Sequence, residues 1–239
     1  MTRSISILVQ GAPKTGKSTF AATAPGPRLL IDIEGGNRFL NITPVRWDPA
    51  SEEPPAADGT WDTAVVRVIN FDTALKAYQW LSSGKHPFKS VIIDSISELQ
   101  QRLIESISGR QQPQMQQWGE LLRTFSGLMR DFRDLTEHPT VPLEAVILVA
   151  MSREGDAGLS RPWLQGQSAV VLPYLFDMSV AMDKFGWVDE HGVQQQTYRM
   201  LIGANNKYET GERVGGRVPP FIDNPTVPAI LDAVYGPSA

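Results

Sequence analysis

The chain has 239 residues, of which 41% are hydrophobic and 20% charged, and its formal net charge is −4. This length suits one domain with a buried core, and the negative charge argues against a constitutive, purely electrostatic nucleic-acid binder. The sequence has no cysteine and three scattered histidines, which excludes disulfides, zinc–thiolate sites and cysteine nucleophiles. It shows neither a secretory signal nor a membrane-spanning run, so we expect a cytoplasmic protein without membrane association.

The first elements alternate between strand and helix patterns. Apolar runs predict strands at 4–10 and 28–33, with a helix from Lys17 to about Ala24 between them. Because this succession is typical of a parallel sheet, the segment predicts a βαβ unit. Residues 48–60 are acidic and rich in proline and alanine, which predicts an exposed loop rather than a domain boundary.

The rest of the chain continues this alternation and then becomes β-rich. Further strands are predicted at 64–69, 91–93 and 143–151, and helices from a cap at Asp72 to Leu81, at 96–107 and at 118–137. Loops are predicted at 108–117 and 152–168, antiparallel strands at 177–187 and 195–204, and a helix at 225–235 behind an Asn224 cap. We therefore predict one α/β domain over residues 1–239, with a mostly parallel sheet flanked by helices and a carboxyl-terminal antiparallel hairpin.

One motif in the sequence is specific for nucleotide binding. Residues 11–18 match the pattern G-x-x-x-x-G-K-[ST] between a predicted strand and a predicted helix. Such a loop directs backbone N–H groups at phosphate oxygens, and its lysine reaches the β- and γ-phosphates. The predicted ATP-binding residues are Gly11, Ala12, Pro13, Lys14, Thr15, Gly16, Lys17, Ser18 and Thr19.

A carboxylate outside the phosphate loop completes the predicted magnesium site. Asp94 ends the apolar run 91–93, where a carboxylate can lie beside the phosphate loop and hold Mg²⁺ through water, while Ser18 offers its hydroxyl to the ion. The alternative is that Asp94 caps the following helix, although Ser95 can serve as that cap instead.

Two acidic residues compete for the role of general base. Glu34 and Asp32 both lie at the end of the strand that follows the phosphate-loop helix. A carboxylate at this place can face the γ-phosphate and activate a water molecule. Glu34 is the first candidate and Asp32 the second; otherwise Glu34 is a surface acid beside the turn at 35–36.

Together these segments resemble the RecA-type recombinase core. The resemblance rests on residues 31–34 and 91–96, and its looser part, with Leu172, Pro173 and Asp177, is similar to the compact Sak-type single-strand-annealing ATPases of bacteriophages. It implies a RecA-like fold, ATP and Mg²⁺ as cofactors, a homo-oligomer in the form of a ring or a filament, and single-stranded DNA as partner. It also implies that the glutamate after the second strand activates the attacking water. A single-strand-binding protein is a further expected partner.

The same resemblance assigns DNA contacts to two loops. They are 108–118 and 152–168, and the residues expected to contact single-stranded DNA are Arg110, Arg153, Arg161 and Trp163. The alternative is that both are plain exposed loops, and Trp118 is expected to be the first core residue of its helix.

Further along the chain, the resemblance assigns Lys207 and Arg213 to the ATP site of an adjacent subunit, where a cation would stabilise the transferred phosphoryl group. The alternative is a solvated loop with local ion pairs. The sequence departs from RecA-type cores at the γ-phosphate sensor, where Met151 and Ser152 replace the usual amide side chain.

Three functions compete on this reading. The first is a DNA-stimulated ATPase that binds single strands and promotes annealing or strand exchange. The second is an AAA-type loader or remodelling ATPase that acts on protein partners, a class for which we expect a helical lid after the core. The third is a small-molecule kinase, which would need an arginine-rich lid that the sequence does not show.

Overall fold

The computed structural model describes residues 3–109, 111–155 and 158–237. Its strands are β1 (Ile5–Gly11), β2 (Arg28–Asp32), β3 (Pro44–Arg46), β4 (Thr63–Arg67), β5 (Ser90–Asp94), β6 (Ala145–Glu154), β7 (Ser160–Pro162), β8 (Met178–Val188), β9 (Gln194–Leu201), β10 (Gly211–Glu212) and β11 (Phe221–Asp223). Its α-helices are α1 (Lys17–Ala21), α2 (Phe71–Ser82), α3 (Ile96–Ser108), α4 (Met115–Asp134), α5 (Ser168–Val171) and α6 (Val227–Tyr235).

The strands form one sheet in the order β11-β9-β8-β1-β6-β5-β2-β4-β3, with β10 beside β8 and β7 beside β6. From β8 to β3 the neighbours along this path pair in parallel, whereas β8, β9 and β11 pair antiparallel. The predicted α/β fold with a carboxyl-terminal antiparallel hairpin is confirmed. Because β1 lies between β6 and β8, the loop that follows β1 emerges at the middle of the sheet's carboxyl edge.

Two apolar layers hold the helices on the two faces of the sheet. Alternate residues of β1 divide between them, so Ile7 packs with Phe20 of α1 on one face and Leu8 lies in the cluster of α2, α3 and α4 on the other. On α4, Phe125 and Phe132 are fully buried at helical spacing. Buried phenylalanines of this kind each stabilise a fold by about 3–5 kcal/mol relative to alanine.

Two predicted helix caps are wrong. Asn70, not Asp72, caps α2, and its side chain accepts a hydrogen bond from Thr73 N at 3.0 Å. Asp72 lies in the first turn, where it pairs with Lys76 at 2.9 Å. Thr226, not Asn224, caps α6. Asn224 has a φ of 47°, and its side chain instead accepts a hydrogen bond from Thr197 in β9. A cap depends on where the helix begins, which sequence patterns locate only to within a few residues.

The predicted loop at 152–168 is partly wrong. β6 continues to Glu154 and pairs antiparallel with β7, with Arg153 opposite Arg161, so this segment begins as a hairpin. The helix α5 then starts at Ser168. Because β7 has only three residues, two of them partly exposed, it leaves no apolar alternation for a sequence pattern to detect.

The prediction that Trp118 is a core residue is also wrong. Its side chain is 37% exposed, and the first buried residue of α4 is Leu121. Trp118 shares the apolar stripe by spacing, but it lies in the first turn of α4, where its side chain borders an open cavity together with Gln100 and Ile104 of α3.

The hairpin of β8 and β9 extends beyond the parallel part of the sheet. β1 pairs with β8 as far as Gln10 opposite Ala181, and the residues from Met182 to Val188 then continue for roughly 20 Å. This projecting part stands beside the loop that follows β1. Among the described residues, no helix combines the length and the hydrophobicity that a bilayer crossing requires.

Candidate functional site

The loop after β1 has the conformation of a phosphate-binding loop. Gly16 has a φ of 86° and immediately precedes α1, whose N–H groups therefore face the loop. A Cβ atom at Gly11 would lie 2.4 Å from the carbonyl oxygen of Met182, and one at Gly16 would lie 3.1 Å from the ring of Tyr198. Both glycines are thus required by close approach of β8 and β9 as well as by backbone conformation.

Lys17 is the cation of this loop. Its Nζ donates hydrogen bonds to the carbonyl oxygens of Gly11 and Ala12, at 2.9 and 2.8 Å. Burial lowers the pKa of Lys17, and the carboxylates of Asp94 and Glu34 oppose this effect. The ammonium group is therefore held over the loop and beside the two acidic residues.

Asp94 ends β5 next to the loop. The hydroxyl of Ser18 lies near its carboxylate and opposes the rise in the pKa of Asp94, so the two residues predicted to hold magnesium lie together. Burial, with a smaller contribution from Glu34 and Asp32, raises the pKa of Asp94 to about 6. Ser95, not Asp94, caps α3, so the capping alternative for Asp94 does not apply. Among the residues that the structure describes, no group of three or more histidine, aspartate or glutamate side chains gathers as a metal site.

The two candidates for general base have different surroundings. Asp32 is buried and accepts hydrogen bonds from the N–H of Gly35, at 2.7 Å, and from the side chain of Asn37. Arg67 lies 3.7 Å from the same carboxylate. Asp32 is thus occupied in holding the turn that follows β2, and this turn positions the next acidic residue.

Glu34 projects from that turn and is exposed. Its Oε1 accepts a hydrogen bond from the hydroxyl of Ser95, which adjoins Asp94 in the chain. The negative charge of Glu34 also raises the pKa of Lys17 and the pKa of Asp94. The structure therefore brings Lys17, Ser18, Asp94 and Glu34 to one edge of the sheet, as parallel strands allow.

Three of the residues predicted to contact DNA lie in the hairpin of β6 and β7. Arg153 and Arg161 are directly opposite each other, and Trp163, two residues after Arg161, is 45% exposed. The N–H of Trp163 donates to the carbonyl oxygen of Met151, which continues the pairing of the two strands. Alternation along the strand therefore places Trp163 on the same side as Arg161. Arg110 lies outside the described residues.

Lys207 lies at the same edge of the sheet as its own phosphate loop. Its Nζ is 2.6 Å from Oδ2 of Asp183, which raises the pKa of Lys207. The hydroxyl of the next residue, Tyr208, lies near the backbone of Ala12. A single chain thus brings this segment close to its own nucleotide-binding residues.

Arg213 lies at the opposite edge. Its guanidinium donates to the carbonyl oxygens of Phe176 and Tyr174, and is 3.7 Å from Asp177. Asp177 in turn accepts a hydrogen bond from Ser6, five residues before Gly11 and therefore roughly 16 Å from the loop. The structure separates two cations that the sequence grouped together.

Sequence patterns missed the residues that line the loop from the β-rich part of the chain. Met182, Tyr198 and Tyr208 contact it, although they follow it by more than 160 residues. The pairing of β8 with β1 and with β9 brings Met182 and Tyr198 there, a bridge to Ser160 holds Tyr208, and no motif marks these residues.

Comparisons with known proteins bear on this site. A family model described as an AAA domain matches residues 3–214. No curated protein matches the sequence. Similar solved structures include an ATPase from the type III secretion system of pathogenic bacteria, with 12% identity and a TM-score of 0.49, covering 75% of this chain and 52% of that one. The chain thus spans about half the length of that ATPase.

Two further structures are similar to the chain. The genome packaging NTPase B204 from Sulfolobus turreted icosahedral virus 2, in complex with ATP-gammaS, has 11% identity and a TM-score of 0.39, covering 84% of this chain and 93% of that one. The flagellar accessory protein FlaH from Methanocaldococcus jannaschii has 13% identity and a TM-score of 0.41, covering 86% and 79%. The family match includes the phosphate loop, Glu34 and Asp94, and the chain therefore belongs to this family of AAA domains and is an ATP-binding, ATP-hydrolysing P-loop enzyme.

Proposed function

We propose that this ATPase binds single-stranded DNA and promotes annealing or strand exchange, using Mg²⁺-dependent ATP hydrolysis. The observation that carries the proposal is the convergence of Lys17, Ser18, Asp94 and Glu34 at the sheet edge from which the hairpin of β6 and β7 also projects. The proposed unit is a single domain over residues 1–239 that works as a cytoplasmic homo-oligomer, in the manner of the Sak-type phage ATPases that it resembles.

The donor set beside the loop fits magnesium. Mg²⁺ prefers oxygen ligands and is commonly held by one or two protein oxygens together with substrate phosphates, and Ser18 and Asp94 supply a hydroxyl and a carboxylate that lie near each other. When bound, the ion would neutralise charge on the phosphates. The raised pKa of Asp94 supports this assignment, because burial makes the ionised carboxylate costly and a divalent cation would offset that cost.

In the proposed reaction, Lys17 binds the β- and γ-phosphates and Glu34 accepts a proton from the attacking water. The hydroxyl of Ser95 donates to one oxygen of Glu34, which orients that carboxylate and leaves its other oxygen for the water. Asp32 acts indirectly in this reaction, because it holds the turn from which Glu34 projects.

The hairpin of β6 and β7 is the proposed first contact for DNA. Residues directly opposite each other in an antiparallel pair share a face, so Arg153 and Arg161 place two cations on one face of the hairpin. Guanidinium groups can bind the phosphates of a DNA backbone, and the exposed ring of Trp163 offers a face for a base.

Replacing both Arg153 and Arg161 with glutamine should weaken single-strand binding and flatten its salt dependence, because binding that makes fewer phosphate contacts releases fewer counterions. The measurement is affinity for an oligothymidylate at several salt concentrations, with Arg46→Gln on the exposed side of β3 as control. A salt slope equal to that of the unaltered chain would place the DNA site elsewhere.

We propose that Lys207 and Arg213 act on the nucleotide of an adjacent subunit. The position of Arg213 at the edge opposite its own loop supports a role across a head-to-tail junction. Lys207 lies beside its own loop, so the same residue has a competing role within one chain.

Mixing Lys207→Ala chains with Glu34→Gln chains distinguishes a role of Lys207 in the adjacent subunit from a role within its own chain. Lys207→Ala should leave ATP binding nearly intact and lower turnover, by up to about 10³-fold if the lysine resembles an arginine finger. Combined with Glu34→Gln chains, it should regain activity, because one junction then holds an intact Glu34 and an intact Lys207. Specific activity should also rise with protein concentration. A concentration-independent rate without recovery on mixing would show that each site is complete within one chain.

The second candidate is an AAA-type loader or remodelling ATPase that acts on protein partners, and the family match favours it. Residues 178–201, where such enzymes were expected to carry a helical lid, instead form β8 and β9. The ATPase rate with and without single-stranded DNA, at two salt concentrations, distinguishes the candidates. Stimulation that weakens with salt supports the DNA-directed function, and an unchanged rate contradicts it. A single-strand-binding protein is a further proposed partner.

A further inference from the structure

A row of exposed rings runs along one face of the projecting hairpin. We call Trp187, Phe185, Arg199 and Phe221 the aromatic ladder, since these four side chains stack in that order. The rings of Trp187 and Phe185 have centroids 6.2 Å apart, and the guanidinium carbon of Arg199 lies 3.8 Å from the Phe185 centroid and 4.3 Å from that of Phe221. The rings of Phe185, Trp187 and Phe221 are 43%, 45% and 47% exposed.

The ladder is held in a fixed arrangement. Arg199 donates two hydrogen bonds to Asp223, at 2.7 and 2.8 Å, so its guanidinium plane is fixed between the two phenylalanine rings. The register places Phe185 opposite Thr197 and Trp187 opposite Gln195, and directly opposite residues share a face. A rigid π surface of this kind loses little conformational entropy when a flat ligand stacks on it.

We propose that the aromatic ladder binds unpaired bases of single-stranded DNA by stacking. This inference rests on the proposed function and adds a second contact surface to the arginine pair at 153 and 161. The chemistry of the face favours a nucleic acid over a protein partner, because the exposed residue opposite Trp187 is the amide Gln195 and the guanidinium of Arg199 is stacked between two of the rings. The amide oxygen of Gln195 can accept a hydrogen bond from a base edge while the rings stack.

The charges around the ladder predict how it binds. Arg199 is neutralised by Asp223, and Lys207 is neutralised by Asp183 at the base of the ladder. Stacking therefore dominates over phosphate attraction, and the ladder should contribute a salt-insensitive part of the affinity. The turn beyond the ladder carries Asp189, so the DNA backbone is expected on the side toward the sheet edge rather than over the tip.

The aromatic ladder lies on the face of the β8–β9 hairpin opposite the one that contacts the phosphate loop. Tyr198, which precedes Arg199 in β9, points to the other face and contacts Gly16. A base stacked beside Arg199 is thus connected to the nucleotide site through adjacent residues of one strand.

The test uses substitutions that separate stacking from apolar burial. Trp187→Leu keeps apolar surface but removes the π face, and Phe185→Leu does the same, whereas Trp187→Phe keeps a ring. Affinity for an oligothymidylate, measured by fluorescence anisotropy, should fall roughly 10-fold or more for each leucine variant and change little for Trp187→Phe. Val188→Ala, on the opposite face of the same strand, is the matched control and should bind as the unaltered chain does.

A second measurement does not depend on the variants remaining folded. Ultraviolet cross-linking of the unaltered chain to an oligonucleotide that carries 5-iododeoxyuridine should label the peptide containing Phe185 or Trp187. Each unfavourable outcome is distinct. DNA binding that survives both leucine changes, without a cross-link on this hairpin, overturns the ladder but not the proposed function, whereas no DNA binding by the unaltered chain overturns both. Leucine variants that change the sedimentation of the assembly and not its DNA affinity would show that the rings form a contact between subunits.

Discussion

Glu34→Gln should abolish turnover while ATP binding is retained. The amide has the size of the carboxylate and can still accept from Ser95, but it cannot take a proton from water. Loss of a general base typically lowers the rate by about 10²–10⁴-fold. The measurements are single-turnover ATP hydrolysis and the affinity for a nonhydrolysable ATP analogue.

The control for this change is Glu53→Gln, an equivalent change in the exposed loop at 48–60, which should hydrolyse ATP at the original rate. The competing carboxylate is tested by Asp32→Asn. Because Asp32 holds the turn before Glu34, this change should lower thermal stability as well as the rate. If Asp32→Asn stops turnover in a folded chain and Glu34→Gln does not, the base is Asp32.

Lys17→Ala should remove tight ATP binding altogether. Its ammonium group lies 2.8–2.9 Å from two carbonyl oxygens of the loop, and the loop motif predicts that it binds the β- and γ-phosphates. Hydrogen bonds to charged groups are worth about 1.5–3 kcal/mol each, so loss of contacts to two phosphates lowers the affinity on the order of 10²-fold or more. Titration calorimetry with ATP measures this directly.

Lys85→Ala, an exposed lysine just after α2, is the matched control and should bind ATP normally. Lys17→Ala also removes two hydrogen bonds that hold the loop itself, so its folding is checked by thermal unfolding without nucleotide. Affinity equal to that of the unaltered chain in a folded Lys17→Ala variant would contradict the assignment of the phosphate loop.

The sequence by itself determined the nucleotide loop and the order of the main elements. A phosphate loop is a local feature, since its glycines, lysine and serine act within eight consecutive residues, and the flanking strand and helix follow from apolar periodicity. Asp94 could be predicted for the same reason, because it ends a short apolar run. Helix caps and the three-residue strand β7 could not, since they depend on boundaries that periodicity does not locate.

Only the tertiary structure shows how the surroundings of the two carboxylates differ and which surfaces lie around the site. Asp32 and Glu34 are two residues apart and chemically alike, and they differ because Asn37 and Arg67 engage the first whereas Ser95 contacts the second.

The aromatic ladder likewise joins β8, β9 and β11, whose registers place distant residues side by side. Tyr198 contacts Gly16 for the same reason. Contacts between residues far apart in the chain arise from strand pairing and packing, which are properties of the whole fold, so no local pattern in the sequence records them.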